Sequence, residues 1–192
     1  MLINNDFEVA QPVEKVWEFF GDIPRVASCL PGATLTDDLG DQKYAGQVAV
    51  RMGPVRLQFA GNAQITERDE AARRIVVHAT GSEQRGRGQA SMDVTATLSP
   101  AGRGGTKVAV AQDLQLSGAA AQYGRGMISD VTSVLMRDFS ANLASQISAA
   151  DRGETAVQAA APAGGLAIGL RAAMMALRRV FRRFFVPYQA AS

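Results

Sequence analysis

From Gly46 to Leu116 this chain repeats one pattern, apolar residues at every second position, and then changes period once. The alternating sets are Gly46, Val48, Val50 and Met52; Val55, Leu57, Phe59, Gly61, Ala63 and Ile65; Ile75, Val77, Ala79 and Gly81; Ala90, Met92, Val94, Ala96 and Leu98; and Val108, Val110, Gln112, Leu114 and Leu116. The opposite phase is mostly polar, with Arg56, Gln58, Asn62, Asp93, Thr95, Lys107 and Asp113. A period of two with one wet phase predicts antiparallel strands covered on one face. Met52-Gly-Pro-Val, Asp69-Glu-Ala-Ala and Pro100-Ala-Gly-Arg-Gly-Gly supply turns between them. Beyond the strands, Ile128, Val131, Leu135, Phe139, Leu143 and Ile147 recur at helical spacing, so one long helix must bury a stripe against the sheet.

Ahead of the sheet, Leu2 to Ala10 reads as a strand, and Pro12 suits the first turn of a helix that buries Val13, Val16, Trp17 and Phe20. A second short helix is expected from Pro24 to Leu30, ending at Pro31-Gly32. The order predicts an α+β body over residues 1–150: strand, two short helices, a run of antiparallel strands, one long helix. A curved sheet wrapped round that helix satisfies both apolar faces and leaves space suited to a hydrophobic ligand. The small inward residues Gly46, Gly61, Ala63, Ala79, Gly81, Ala90 and Ala96 either let the sheet bend or leave a cavity, and Met52, Met92 and Met127 are adaptable liners. Strand phase and helix stripe give Leu57, Phe59, Met92, Gln112, Tyr123, Met127 and Val131 as the expected lining. Gln112 is the polar exception in an apolar phase; it bonds either to nearby backbone or to a ligand carbonyl. Tyr123 and Tyr44 are the other candidate donors.

Catalytic chemistry has little to work with. A nucleophile–histidine pair needs a histidine beside the nucleophile, and His78, the one histidine, falls in the outward phase. With one His and one Cys a structural zinc site is not expected, and no metal ligand set is assigned. Cys29 reads as a small packing residue. Gly81-Ser-Glu-Gln-Arg-Gly-Arg-Gly88 lacks the Lys-Ser/Thr ending of a phosphate loop and reads as a mobile turn whose arginines could meet a partner or lipid headgroups.

The last quarter has its own character. Residues 151–165 are rich in Ala, Gly and Pro and read as a flexible linker of roughly 20 Å average span. Residues 166–186 form a predicted amphipathic helix, with Leu166, Leu170, Met174, Leu177, Phe181 and Phe184, flanked by Phe185, on an apolar side and Arg171, Arg178, Arg179, Arg182 and Arg183 on the other. Such a helix lies in the interface of an anionic membrane, or docks on a partner or on the body. Spanning is disfavoured, since each central Arg costs roughly 2.5–3.5 kcal/mol. Each Arg near anionic lipid contributes about 1 kcal/mol, enough for reversible attachment. Residues 151–192 carry six Arg against Asp151 and Glu154, a net +4, which leaves the body at −2 of the chain's +2. That balance argues against a nucleic-acid-binding body. Neither a basic start nor an apolar run opens the chain, so the expected location is cytoplasmic, peripheral on the inner face of the cell membrane.

Phe7-Glu-Val-Ala, Pro12-Val-Glu-Lys-Val-Trp17, Cys29-Leu-Pro-Gly32, Gly46-Gln-Val-Ala-Val-Arg-Met-Gly-Pro-Val55, Phe59-Ala-Gly61, Ser117-Gly118 and Gln122-Tyr-Gly124 resemble the carbon monoxide dehydrogenase G-subunit (CoxG) family of the START/SRPBCC superfamily, over about residues 1–148. The resemblance implies a helix-grip fold and a non-catalytic accessory of a molybdenum-containing CO dehydrogenase or related hydroxylase. Its implied partners are that enzyme, anionic membrane lipids and a lipophilic quinone, menaquinone or ubiquinone, that accepts the enzyme's electrons; no covalently bound cofactor and no nucleic acid are implied. Two other functions stay open: recruitment of the enzyme without a ligand, and an enzyme of the aromatase/cyclase type, which uses the same fold.

Overall fold

The computed structural model describes residues 1–152, apart from the side chain of Ala119. The linker after Arg152 and the amphipathic segment 166–186 expected from the sequence lie outside the described residues.

β1 (Leu2–Val9) alternates as expected, turning Ile3, Phe7 and Val9 to the core. Pro12 caps α1 (Val13–Phe20), where a missing N–H costs nothing, and α1 buries Val16, Trp17, Phe19 and Phe20. Asp22 caps α2 (Ile23–Cys29) by accepting the Arg25 N–H at 3.1 Å. Six strands follow: β2 (Ala33–Asp38), β3 (Lys43–Met52), β4 (Val55–Asp69), β5 (Arg74–Glu83), β6 (Gln89–Pro100) and β7 (Thr106–Leu116). The last element is α3 (Arg125–Asp151).

All seven strands form one curved antiparallel sheet in the order β1-β7-β6-β5-β4-β3-β2, closed over by α3 in the START/SRPBCC helix-grip arrangement. The first strand returns to pair with the last, so α1 and α2 carry the chain from one sheet edge to the other. β2 is absent from the sequence expectation because Leu35 is its one large apolar residue; its pairing with β3 makes it a strand. Register breaks at Leu35/Asp37 and Ile65/Glu67 add local bends. Gly61 is where curvature demands glycine, since a Cβ there would fall on the Thr80 carbonyl of β5.

The core divides in two. The larger part joins α1 and α2 to the C-terminal two-thirds of α3 through Trp17, Phe20, Phe139, Leu143 and Ile147. Phe139 receives Phe7 and Phe20 edge-on at 5.9 and 6.5 Å, geometries that aromatic rings favour. Asn142 donates to the Cys29 carbonyl at 2.9 Å and Gln146 to Ser28 at 2.8 Å, tying α3 to α2. The smaller part lies at the start of α3.

Candidate functional site

The strands run antiparallel, so the Gly53-Pro54 turn, the loop 84–88 and the connection from β7 to α3 gather at one end of the sheet. There Ile3 of β1, Met52 of β3, Leu57 of β4, Ala120 of the β7–α3 connection and Ile128 of α3 form the second apolar cluster. Val50, Val55, Phe59, Leu114, Tyr123 and Val131 pack against it while remaining partly open to solvent. Four expected liners therefore come together: Leu57 buried at the base, with Phe59, Tyr123 and Val131 around it.

The other three sit differently. Met92 is half-buried on β6, directly opposite Leu114, and so borders the cluster. Gln112 is buried and faces Ile3 across the β1–β7 pair, and its side chain donates to Asn5 Oδ1 at 3.4 Å. Asn5 donates onward to Ser133 Oγ of α3, also at 3.4 Å. These bonds are long, and they place an amide at the seam between the two halves of the core. Met127 departs from the expectation: it is 44% exposed and outside the cluster. On a helix it is turned about 100° from Ile128, which faces the sheet, and it shares an exposed flank with Val134. Tyr44 is half-buried on β3, beside Ala63, and outside the cluster. Ile3 and Ala120 are members that the sequence did not single out. Ile3 continues the alternation of β1, whereas Ala120 lies in a short 3-10 turn with no apolar period to mark it.

A separate depression of about 540 Å³ crosses β4 to β7. Asn62, Thr80, Ser91 and Gln115 line it from the phase opposite the core, and no α3 residue borders it. It therefore lies away from α3, not between sheet and helix where the sequence leads us to expect a cavity.

Glu83 continues the inward phase of β5 past Gly81 and is buried, a placement not anticipated from the sequence. One carboxylate oxygen accepts the backbone N–H of Arg85 at 2.8 Å and of Arg87 at 3.2 Å, and the Arg87 guanidinium stands 3.8 Å away. Burial pushes this carboxyl up, but those N–H groups, the Arg87 charge and the Gln58 backbone outweigh it and hold it below the ordinary glutamate value. The glycine-rich turn is thus built around an internal anion. Cys29 is fully buried, and its burial pushes the thiol up to about 11, as suits a packing residue. His78 is on the solvent face, 2.6 Å from Asp93 through Nδ1.

The model of the carbon monoxide dehydrogenase G-subunit (CoxG) family matches residues 6–148. The chain belongs to that family. Among curated proteins, none matches the chain. Solved structures place this CoxG body among START/SRPBCC-like folds. A conserved protein from Geobacillus kaustophilus is 20% identical with a TM-score of 0.68, covering 77% of this chain and 95% of its own. The ZhuI aromatase/cyclase from Streptomyces sp. R1128 is 14% identical with a TM-score of 0.58, covering 81% and 99%. A START superfamily protein from Mycobacterium smegmatis is 13% identical with a TM-score of 0.51, covering 77% and 97%. At these identities the likeness is one of fold. Among the described residues, no helix is long and apolar enough to cross a membrane.

Proposed function

We propose that the protein is a non-catalytic accessory that holds a lipophilic ligand, a respiratory quinone by class, against the second apolar cluster and couples a molybdenum CO dehydrogenase-type enzyme to the cytoplasmic membrane. Membership of the CoxG family supports the accessory role and the partner. The observation that carries the ligand is the half-open cluster itself. Phe59, Tyr123 and Val131 pack against the buried Leu57 cluster and stay partly uncovered, which leaves apolar surface for a ligand to cover. Each methylene of a ligand tail buried there contributes about 0.8 kcal/mol. Gln112 and Tyr123 are the polar groups at hand for a quinone oxygen, by N–H and O–H donation.

An enzymatic role has less support. The cluster is apolar apart from the Tyr123 phenol, the Glu83 carboxylate opposite Phe59 is taken up by the N–H groups of its own turn, and His78 stands on the far face of the sheet. The amphipathic sequence 166–186 supplies the membrane attachment in this reading.

The test is chemical. Lipid extracted from purified full-length protein is analysed by mass spectrometry, and the stripped protein is titrated with menaquinone and ubiquinone analogues. Stoichiometric quinone, or saturable binding of an added one, supports the carrier. Neither a co-purified lipophile nor any binding would leave recruitment without a ligand.

A further inference from the structure

The body is net negative by sequence, yet the end that carries the second cluster is strongly positive. Residues 51–57, 83–88 and 117–127 contain Arg51, Arg56, Arg85, Arg87 and Arg125 against Glu83 alone, a net +4. Glu83 is buried and consumed by the turn it holds. The opposite end mixes its signs, with Glu14, Glu18, Asp69 and Glu70 beside Lys15, Arg68 and Arg73. Folding has therefore sorted charge along the long direction of the strands.

The three segments are one surface. The Ala120 N–H donates to the Arg87 carbonyl at 3.3 Å, and Gln84 N–H to the Gln58 carbonyl at 2.8 Å. Met52 and Ile128 share the apolar cluster, which seats the β3–β4 turn against α3. Arg51 and Arg56 face each other directly across that hairpin, both exposed. Like charges directly opposite on a hairpin are destabilising. Among the described residues no carboxylate pairs with Arg51, Arg56, Arg85 or Arg125. Between the arginines stand exposed Gly53 and Pro54, half-buried Val55 and exposed Met127.

We propose that this end of the folded body is a second docking surface for an anionic bilayer, in addition to the segment 166–186. The guanidinium groups take lipid phosphates as bidentate donors, and Pro54 and Met127 enter the headgroup layer. Choosing a bilayer over an acidic protein rests on the carrier reading: a lipophile leaving Phe59 and Tyr123 at this end passes into hydrocarbon without crossing water. The charge sorting itself needs no ligand.

The experiment uses the full chain with Pro54→Cys carrying an environment-sensitive fluorophore. Cys29 is buried, with its thiol pushed up to about 11, so labelling at neutral pH is selective. Vesicles of phosphatidylglycerol and phosphatidylcholine, free of quinone, are added, so that a failure of ligand binding does not affect the outcome. The expected result is a blue shift that grows with phosphatidylglycerol and fades with salt, and none from the same label at Ala101→Cys on the opposite end. Adding Arg51→Gln and Arg56→Gln weakens the response roughly 30-fold, about fivefold for each arginine. The same pair raises the melting temperature, because the repulsion across the hairpin is removed. A label at position 54 that stays in water while the chain sediments with the vesicles overturns the proposal and leaves an acidic protein as the occupant. A response equal at both ends, or unaltered by the double substitution, also overturns it.

Discussion

One carboxylate oxygen of Glu83 bridges the backbone N–H groups of Arg85 and Arg87, so a single acidic side chain fixes the turn that presents two arginines. Within the turn this carboxylate accepts the backbone N–H groups that a bound anion takes in a glycine-rich loop.

That arrangement sets a pH dependence. The folded pKa of Glu83 lies below the unfolded one, so between the two the unfolded chain binds more protons and stability rises with pH. The contribution is complete above the ordinary glutamate range and disappears as pH falls through the depressed folded value. In NMR titrations the amide protons of Arg85 and Arg87 should move together, with an apparent pKa below that of a free glutamate. Glu83→Gln should abolish the transition and speed amide exchange at both residues several-fold. A transition at or above the free value would refute the bonding described.

Two inward glycines separate curvature from open space. At Gly61 a Cβ would meet the Thr80 carbonyl oxygen and the Gly81 Cα, both backbone, so Gly61→Ala must push two strands apart. A cost of about 3 kcal/mol or more is expected, at the upper end for overpacking. At Gly81 the nearest atom would be the Ala60 carbonyl oxygen at 3.4 Å, an ordinary contact, and φ is not positive there. Gly81→Ala should change stability by less than about 1 kcal/mol. Urea unfolding of the two variants side by side decides the matter, and equal costs would mean that curvature is not focused at Gly61.

Most of the architecture was legible because it rests on period. The alternation of β3 to β7 and the stripe Ile128, Phe139, Leu143 and Ile147 state which face is buried before any contact is known. β2 was illegible because the sequence Ala-Thr-Leu-Thr-Asp-Asp has no repeated apolar phase and becomes a strand by pairing with β3. The site was half legible. Leu57 and Phe59 follow from phase, while Met127 stands about 100° from Ile128, which the helical stripe already turned to the sheet, and so falls on the exposed flank. Glu83 continues the alternation of β5 and Arg51 and Arg56 flank the Met52–Val55 turn, so both were within reach of the pattern, but a charge does not mark an apolar phase.

Gln112 offers a test of the ligand geometry. Its side chain has one long bond, to Asn5, so Gln112→Leu should alter stability by no more than about 1 kcal/mol. If the amide donates to a quinone oxygen, the same change lowers quinone affinity roughly fivefold, the worth of one hydrogen bond. Met127→Ala, on the exposed flank, should leave affinity unaltered. Fluorescence titrations with a short-chain quinone compare the two, and a loss at Met127 without one at Gln112 would place the ligand outside the cluster.

Removal of the C-terminal segment tests its part in attachment, and the structure says where to cut. α3 extends to Asp151, whose carboxylate pairs with Lys15 of α1 at 2.7 Å, so a cut after Ala150 would take away a contact of the body itself. A chain ending at Arg152 keeps that pair, together with the docking of Phe139 and Leu143. It should unfold cooperatively at a temperature within a few degrees of the full chain. In sedimentation with phosphatidylglycerol vesicles at physiological salt it should bind at least tenfold more weakly, since five arginines at about 1 kcal/mol each are lost with the apolar face behind them. Undiminished sedimentation would assign the whole attachment to the arginine-bearing end of the sheet.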